Sequence, residues 1–136
     1  MDRRRQLPRG LSEADARECV PCSGRSEGLY RHLERTPRAW DAVVFAPYLF
    51  GLSLEGGRRL LEAGGNTVLL PCLHDETFAR LRSVRASFEH ARGCLFNAHA
   101  EQRLAERLYA LPPERGQVVG MGFEPRTGDG ARFRQL

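Results

Sequence analysis

The sequence predicts an α/β fold, a three-layer Rossmann-like domain with a parallel sheet. Three observations carry that prediction. Four short apolar runs alternate with helix-length amphipathic segments, giving β-α-β-α-β-α-β with short connections. Strands that alternate with helices pair in parallel through right-handed crossovers. The first run, Ala42 to Ala46, is continuously apolar, the pattern of a strand covered on both faces. At 136 residues, with 41% hydrophobic and 28% charged side chains, the chain suits one folded domain and not a disordered polymer.

Residues 1–25 are polar, arginine-rich and interrupted by Pro8, Gly10, Pro21 and Gly24; Ser12 and Asp15 could open a short helix there. A helix is predicted from Ser26 to Arg35, with Leu29, Tyr30 and Leu33 on one face and Pro37 ending the pattern. "DAVVFAPYLF" supplies the first strand. "LEGGRRLLEAGG" reads as a weak helix, because Gly56 and Gly57 each cost roughly 1 kcal/mol relative to alanine, and Gly64 and Gly65 close it. "NTVLLPC" is the second strand. From Glu76 to Ala91, Phe78, Leu81, Val84, Phe88 and Ala91 recur every three or four residues, the stripe of a buried helix face. "CLFNA" is the third strand, and His99 to Leu111 a helix with Leu104, Leu108 and Leu111 inward, stopped by Pro112 and Pro113. "QVVGMG" is the fourth strand and "FEPRTGDGARFRQL" a polar exit. The domain is thus expected over residues 26–123, between a polar segment (1–25) and a hinge or linker (124–136).

Composition narrows the function. All 21 basic residues are arginine and the net charge is +4, but only Arg3, Arg4 and Arg5 form a run. A solvated basic tail is the expected reading of that run, ahead of a phosphate- or nucleic-acid-facing arm, and no nucleic-acid-binding signature accompanies it; no specific nucleic-acid partner is expected. The longest apolar candidate, "AVVFAPYLFGLSL", falls short of the ~20 residues of a membrane span. With no apolar region behind the amino-terminal arginines, a cytoplasmic chain with four reduced cysteines is expected.

Ligands of an open parallel sheet bind beyond the carboxyl ends of its strands. That rule selects Pro47 to Ser53, His74 to Glu76, Asn97 to Glu101, and Gly120 to Glu124. Asp75 and Glu76 suit the start of the next helix, as cap and first-turn acid. His74 is needed for neither capping nor packing, so a donor to a substrate hydroxyl or phosphate is the expected role. Cys72 and His74 lie on one face of an extended chain, yet about 6–7 Å between such positions is too far for a thiolate–imidazole pair without a bend. Cys72 and Cys94 are expected as small buried hydrophobes. Cys19-x2-Cys22 could join Cys72 and His74 around zinc, but the second half lacks knuckle spacing, and no metal is expected. Glu101 is placed for half a capping box, with Ala98 lacking the hydroxyl. No dinucleotide fingerprint, phosphate loop or nucleophile elbow is present.

"DAVVFAPYLFG", "TVLLPCLHDE" and "CLFNAHAEQRLAERLYALPPERGQVVGMGFEP" together resemble, in order and spacing, the amino-terminal domain of bacterial family 4 (group 1) glycosyltransferases. The likeness covers about residues 20–134, and Pro-x-x-His-Asp-Glu is its most specific part. It implies half of a GT-B architecture, with retaining transfer from a nucleotide-sugar donor to an unidentified glycan, lipid or small-molecule acceptor, without a bound metal or other cofactor. Carried over, His74 contacts the transferred sugar or acceptor and is the expected catalytic residue. Asp75 and Glu76 order the loop, and Tyr48, Gly51, Ser53, Asn97 and Glu101 line the acceptor side.

The sequence departs from that family in lacking its first strand and glycine-rich loop, in having Ala98 where many members have Ser or Thr, and in having Glu124 where many have Asp. The chain ends where the family's donor-binding domain begins, so a fragment inactive alone, with an exposed sheet edge prone to self-association, is expected. Two other classes fit the residues: a stand-alone flavodoxin-like binding domain, and a small metal- or nucleic-acid-binding protein using the cysteines and the arginine arm.

Overall fold

A computed structural model describes residues 24–122. The calls on residues 1–23 (the arginine run, the Ser12–Asp15 helix start, Cys19 and Cys22) and on the Glu124 position and the 124–136 hinge lie outside them.

The chain opens with α1 (Glu27–Arg35), whose Ser26 side chain accepts the Leu29 amide at 3.3 Å and so satisfies one free helix-start donor. Then come β1 (Val43–Phe45), α2 (Gly51–Glu62), β2 (Thr67–Leu69), a 3₁₀ turn (Phe78–Arg80), α3 (Arg82–His90), β3 (Gly93–Phe96), α4 (His99–Tyr109), a second 3₁₀ turn (Pro113–Arg115) and β4 (Gly116–Val118). The α/β class and its parallel sheet are as predicted. Four strands pair in parallel in the order β1-β2-β3-β4.

That order positions everything else. Right-handed crossovers between strands that advance in one direction all fall on one side of the sheet. In keeping with this, α1, α2, α3 and α4 pack successively against one another. The register puts Phe45, Leu69 and Cys94 in one row and Phe96 beside Val118, on the covered face. Phe45, Leu69, Cys94 and Phe96 are buried there with Leu33, Leu60, Leu81, Val84, Phe88, Leu104 and Leu111. Burying each such Leu or Phe contributes roughly 1.5–3 kcal/mol. Phe88 and Tyr109 stack at 4.2 Å between ring centres, joining α3 to α4.

The other face carries Val44, Val68, Leu95 and Gln117. Val44 is 52% exposed, Gln117 is exposed, and Val68 and Leu95 are half-buried. Of the three layers expected of the class, the described residues supply two. The reading of the first strand as buried on both faces is therefore corrected for Val44. Leu29, expected inward, is 40% exposed, while Tyr30 and Leu33 carry the α1 contact.

The predicted Glu76–Ala91 helix is also corrected. Its apolar stripe is buried, with Phe78 partly so, but the α-helix begins only at Arg82, after an extended Leu81. A tertiary bond coincides with the break: the Tyr109 hydroxyl donates to the Ala79 carbonyl at 2.6 Å, the carbonyl a continuous helix would pair with the Ser83 amide. Conversely α2 starts earlier than its glycines suggested, at Gly51, and closes through Gly64 at φ +84°.

Candidate functional site at the carboxyl edge of the sheet

Beyond Phe45, Leu69, Phe96 and Val118 the chain leaves the sheet in four neighbouring loops. They are tied to each other by backbone bonds: the Tyr48 amide donates to the Pro71 carbonyl at 3.0 Å and the Val119 amide to the Phe96 carbonyl at 2.8 Å. Side chains add cross-links. Tyr48, nearly fully buried, donates its hydroxyl to the Glu76 carboxylate, joining the first loop to the second. Burial, then the bond to Glu76 and its negative charge, push the Tyr48 phenol far above the ordinary range, so it stays a donor. Asn97 donates through Nδ2 to Cys72 Sγ at 3.4 Å, joining the third loop to the second.

His74 stands exposed in the second loop, with Tyr48–Glu76 and Asn97–Cys72 as the cross-links around it. Its carbonyl accepts the Glu76 amide at 2.9 Å, which tightens the loop at that point. A protruding imidazole on a braced loop can donate to, or accept from, a hydroxyl approaching the edge.

The remaining expected site residues divide. No α-helix starts beside Asp75; it accepts Arg80 at 2.5 Å and Arg107 at 3.1 Å, tying the loop to α4. Glu76 likewise lies in the loop rather than in a first helical turn, held by Tyr48. Both carboxylates therefore hold the loop through side-chain contacts to Arg80, Arg107 and Tyr48. Glu101 reaches back to the Asn97 amide at 2.6 Å, one residue before the Ala98 amide that a capping box would engage. Gly51 and Ser53 are corrected: they occupy the first turn of α2 and are buried, with the Gly51 carbonyl accepting the Tyr30 hydroxyl at 3.2 Å. They support the loop from below and do not face the edge.

Cys72 was underestimated by its sequence context. It is half-buried and sits at φ 53°, a left-handed conformation that costs a non-glycine residue of order 1–3 kcal/mol. That turn sends the chain out of the β2 direction and toward Asn97. The only available signal was Pro71-Cys72 directly after the apolar run. Cys94 is the inert buried thiol expected, its pKa pushed up to about 11 by burial. Among the described residues no group of three or more His, Cys, Asp or Glu side chains is arranged to hold a metal ion.

The chain matches no protein-family model, no curated protein and no solved structure. What the edge can do is therefore read from its own residues. Two concavities border the sheet. One, of about 560 Å³, runs between α2 and α3 above Thr67 and Leu69 and reaches Gly51 and Ser53 in the first turn of α2. The other, of about 730 Å³, lies at the amino end of the strands around Trp40, Asn66, Arg92 and Glu114. No helix among the described residues is long and apolar enough to cross a membrane.

Proposed function

We propose that the carboxyl edge of this sheet is the acceptor-side wall of a sugar-transfer cleft, contributed to a retaining glycosyltransferase that uses a nucleotide-sugar donor. The supporting observation is the exposed His74 on a loop braced from both sides by the Tyr48–Glu76 and Asn97–Cys72 bonds. The Pro-x-x-His-Asp-Glu likeness points to the same loop, and the parallel α/β fold is the type on which such clefts are built. In this reading His74 meets a sugar hydroxyl. Asn97 and the loop backbone set the width of the wall, and Asp75, through Arg80 and Arg107, holds the loop against α4. The donor is gripped mainly by a facing domain, so this chain alone does not turn over.

Calorimetric titration with methyl glycosides, and with UDP-glucose and GDP-mannose, tests the reading. Weak glycoside binding is expected, falling about 2–10-fold in His74→Ala, the size of one net hydrogen bond. Nucleotide sugars are expected to bind no better than the glycosides. Sugar transfer by the chain alone, or glycoside binding that ignores His74→Ala, contradicts it.

A non-catalytic α/β binding domain is the second reading, and the cavity between α2 and α3 favours it, since that cavity lies on the helical face and shares no residue with the His74 loop.

A further inference from the structure

Helix α1 runs from the carboxyl end of the strands to their amino end. Its Tyr30 hydroxyl donates to Gly51 at the start of α2, and the Pro37 carbonyl that follows it lies against Gly65, just before β2. Tyr30 and Leu33 meet α2 at Gly56, beside the Phe45 ring of β1. Helices α2, α3 and α4, which each join one strand to the next, run the same way, and α1 extends their row on the far side of α2. Helix α1 therefore stands where a crossover helix would stand if a strand paired with β1 on the side away from β2. Right-handed crossovers place the strand entering such a helix in that position. The edge itself suits one. Val43 donates to Asn66 and Phe45 accepts from Leu70, so both face β2, and the alternation of the strand turns the Val44 N–H and C=O to the opposite side. Ala42, Val44 and Ala46 are exposed, and residues 42–46 carry no charge, proline or glycine of the kind that blunts a sheet edge.

We propose that residues 19–22, directly before α1, dock on this edge as a fifth parallel strand. Pro21 fixes the register. It has no N–H, so within a sheet it fits only where that position points outward from an edge. Val20 and Cys22 then turn their backbone toward β1. Val44 donates to the Val20 carbonyl, and Cys22 donates to the Val44 carbonyl, with Pro21 opposite Val44. Side chains in register share a face, which sends Val20 and Cys22 to the covered face beside Phe45, under α1, and leaves Pro21 on the open face with Val44. Residues 23–26 remain as the connection to α1, a length within the roughly 2–6 residues of such loops. The docked strand brings this connection next to the loop after β1, so the carboxyl edge gains a fifth loop. The open face stays uncovered, and association through Val44, Val68 and Leu95 is a separate property of the chain.

Hydrogen exchange of the full chain, followed by NMR, is the test. The Val44 amide is expected to exchange roughly 100-fold slower than an unstructured amide, at a rate that does not depend on protein concentration. Cys22→Pro removes the donor to the Val44 carbonyl and sets a ring against β1, so Val44 exchange is expected to rise roughly tenfold or more. The Leu70 amide, bonded to Phe45 inside the sheet, is expected to stay as it was. Pro21→Ala, which faces outward, is expected to leave Val44 protected. Nuclear Overhauser contacts between residues 20–22 and Val44 are expected in the parent chain, and their absence overturns the proposal without recourse to a variant. Val44 exchange at the unstructured rate overturns it too, as does protection that survives Cys22→Pro, or protection that vanishes on dilution and so comes from a strand lent by a second copy.

Discussion

Thr67 puts a hydroxyl where the sheet meets its helices and leaves it without a partner among the described residues. An unpaired buried hydroxyl costs about 1–3 kcal/mol, so in the absence of any ligand Thr67→Val is expected to raise the unfolding free energy by about 1 kcal/mol. Urea midpoints of the two chains, compared at equal slope, measure it. Glu55 is the opposite case. Hydrogen bonds from Arg58, and then from Arg59, outweigh its burial and hold its carboxyl down at about 2 from an ordinary 4.5. A carboxyl lowered on folding adds stability above its unfolded value, and that stability disappears as the pH falls through the folded one. Arg58 is half exposed, so screening leaves about 1 kcal/mol of this. Glu55→Gln is expected to lose that amount at pH 7 and to approach the parent near pH 2, read from urea midpoints across that range. At this scale the sequence is uneven. His74 was legible because neither capping nor packing accounts for it. The left-handed turn at Cys72 and the orphaned Thr67 hydroxyl were not, since each depends on a partner or a void supplied by distant chain.

Helix α2 shows how an element trades its own preference for its surroundings. A Cβ built on Gly57 lies 3.8 Å from the Phe45 ring, ordinary contact, whereas one on Gly56 lies 3.1 Å from the same ring. Gly57→Ala is therefore expected to stabilise the chain by about 0.5–1 kcal/mol through helix propensity, and Gly56→Ala to give no such gain because Phe45 must move. Thermal midpoints of the two variants separate the cases, and an equal gain from both contradicts the packing described. The apolar periodicity read the buried stripes of α3 and α4 correctly, because period follows from which face is covered. It misplaced the start of α3, where Leu81 is extended and the Ala79 carbonyl is held by the Tyr109 hydroxyl, 30 residues away in sequence. Capping logic failed at Asp75 for a related reason: the α-helix it was expected to cap begins only at Arg82, and its carboxylate reaches Arg80 and Arg107.

For the whole molecule, the α/β class was legible because the alternation of element types dictates it. Strand order was not, since no local signal tells whether a sheet grows from one side or both. A sheet that grows one way leaves a face with Val44, Val68 and Leu95 uncovered by the described helices, and β1 pairs only with β2 among the described strands. Trp40 and Val44 are both about half exposed near that edge. Edges of this kind recruit further strands. Sedimentation velocity of the chain is expected to show concentration-dependent self-association, diminished in Val44→Lys; a monodisperse monomer over the whole concentration range contradicts it. The central claim, that the carboxyl edge is a sugar-facing wall, is tested most directly by NMR of the His74 imidazole and the Tyr48, Glu76 and Asn97 amides during titration with methyl glycosides. The account predicts that these four signals move together and saturate, whereas glycoside-induced shifts confined to the α2–α3 cavity or the open sheet face, with His74 unmoved, contradict it.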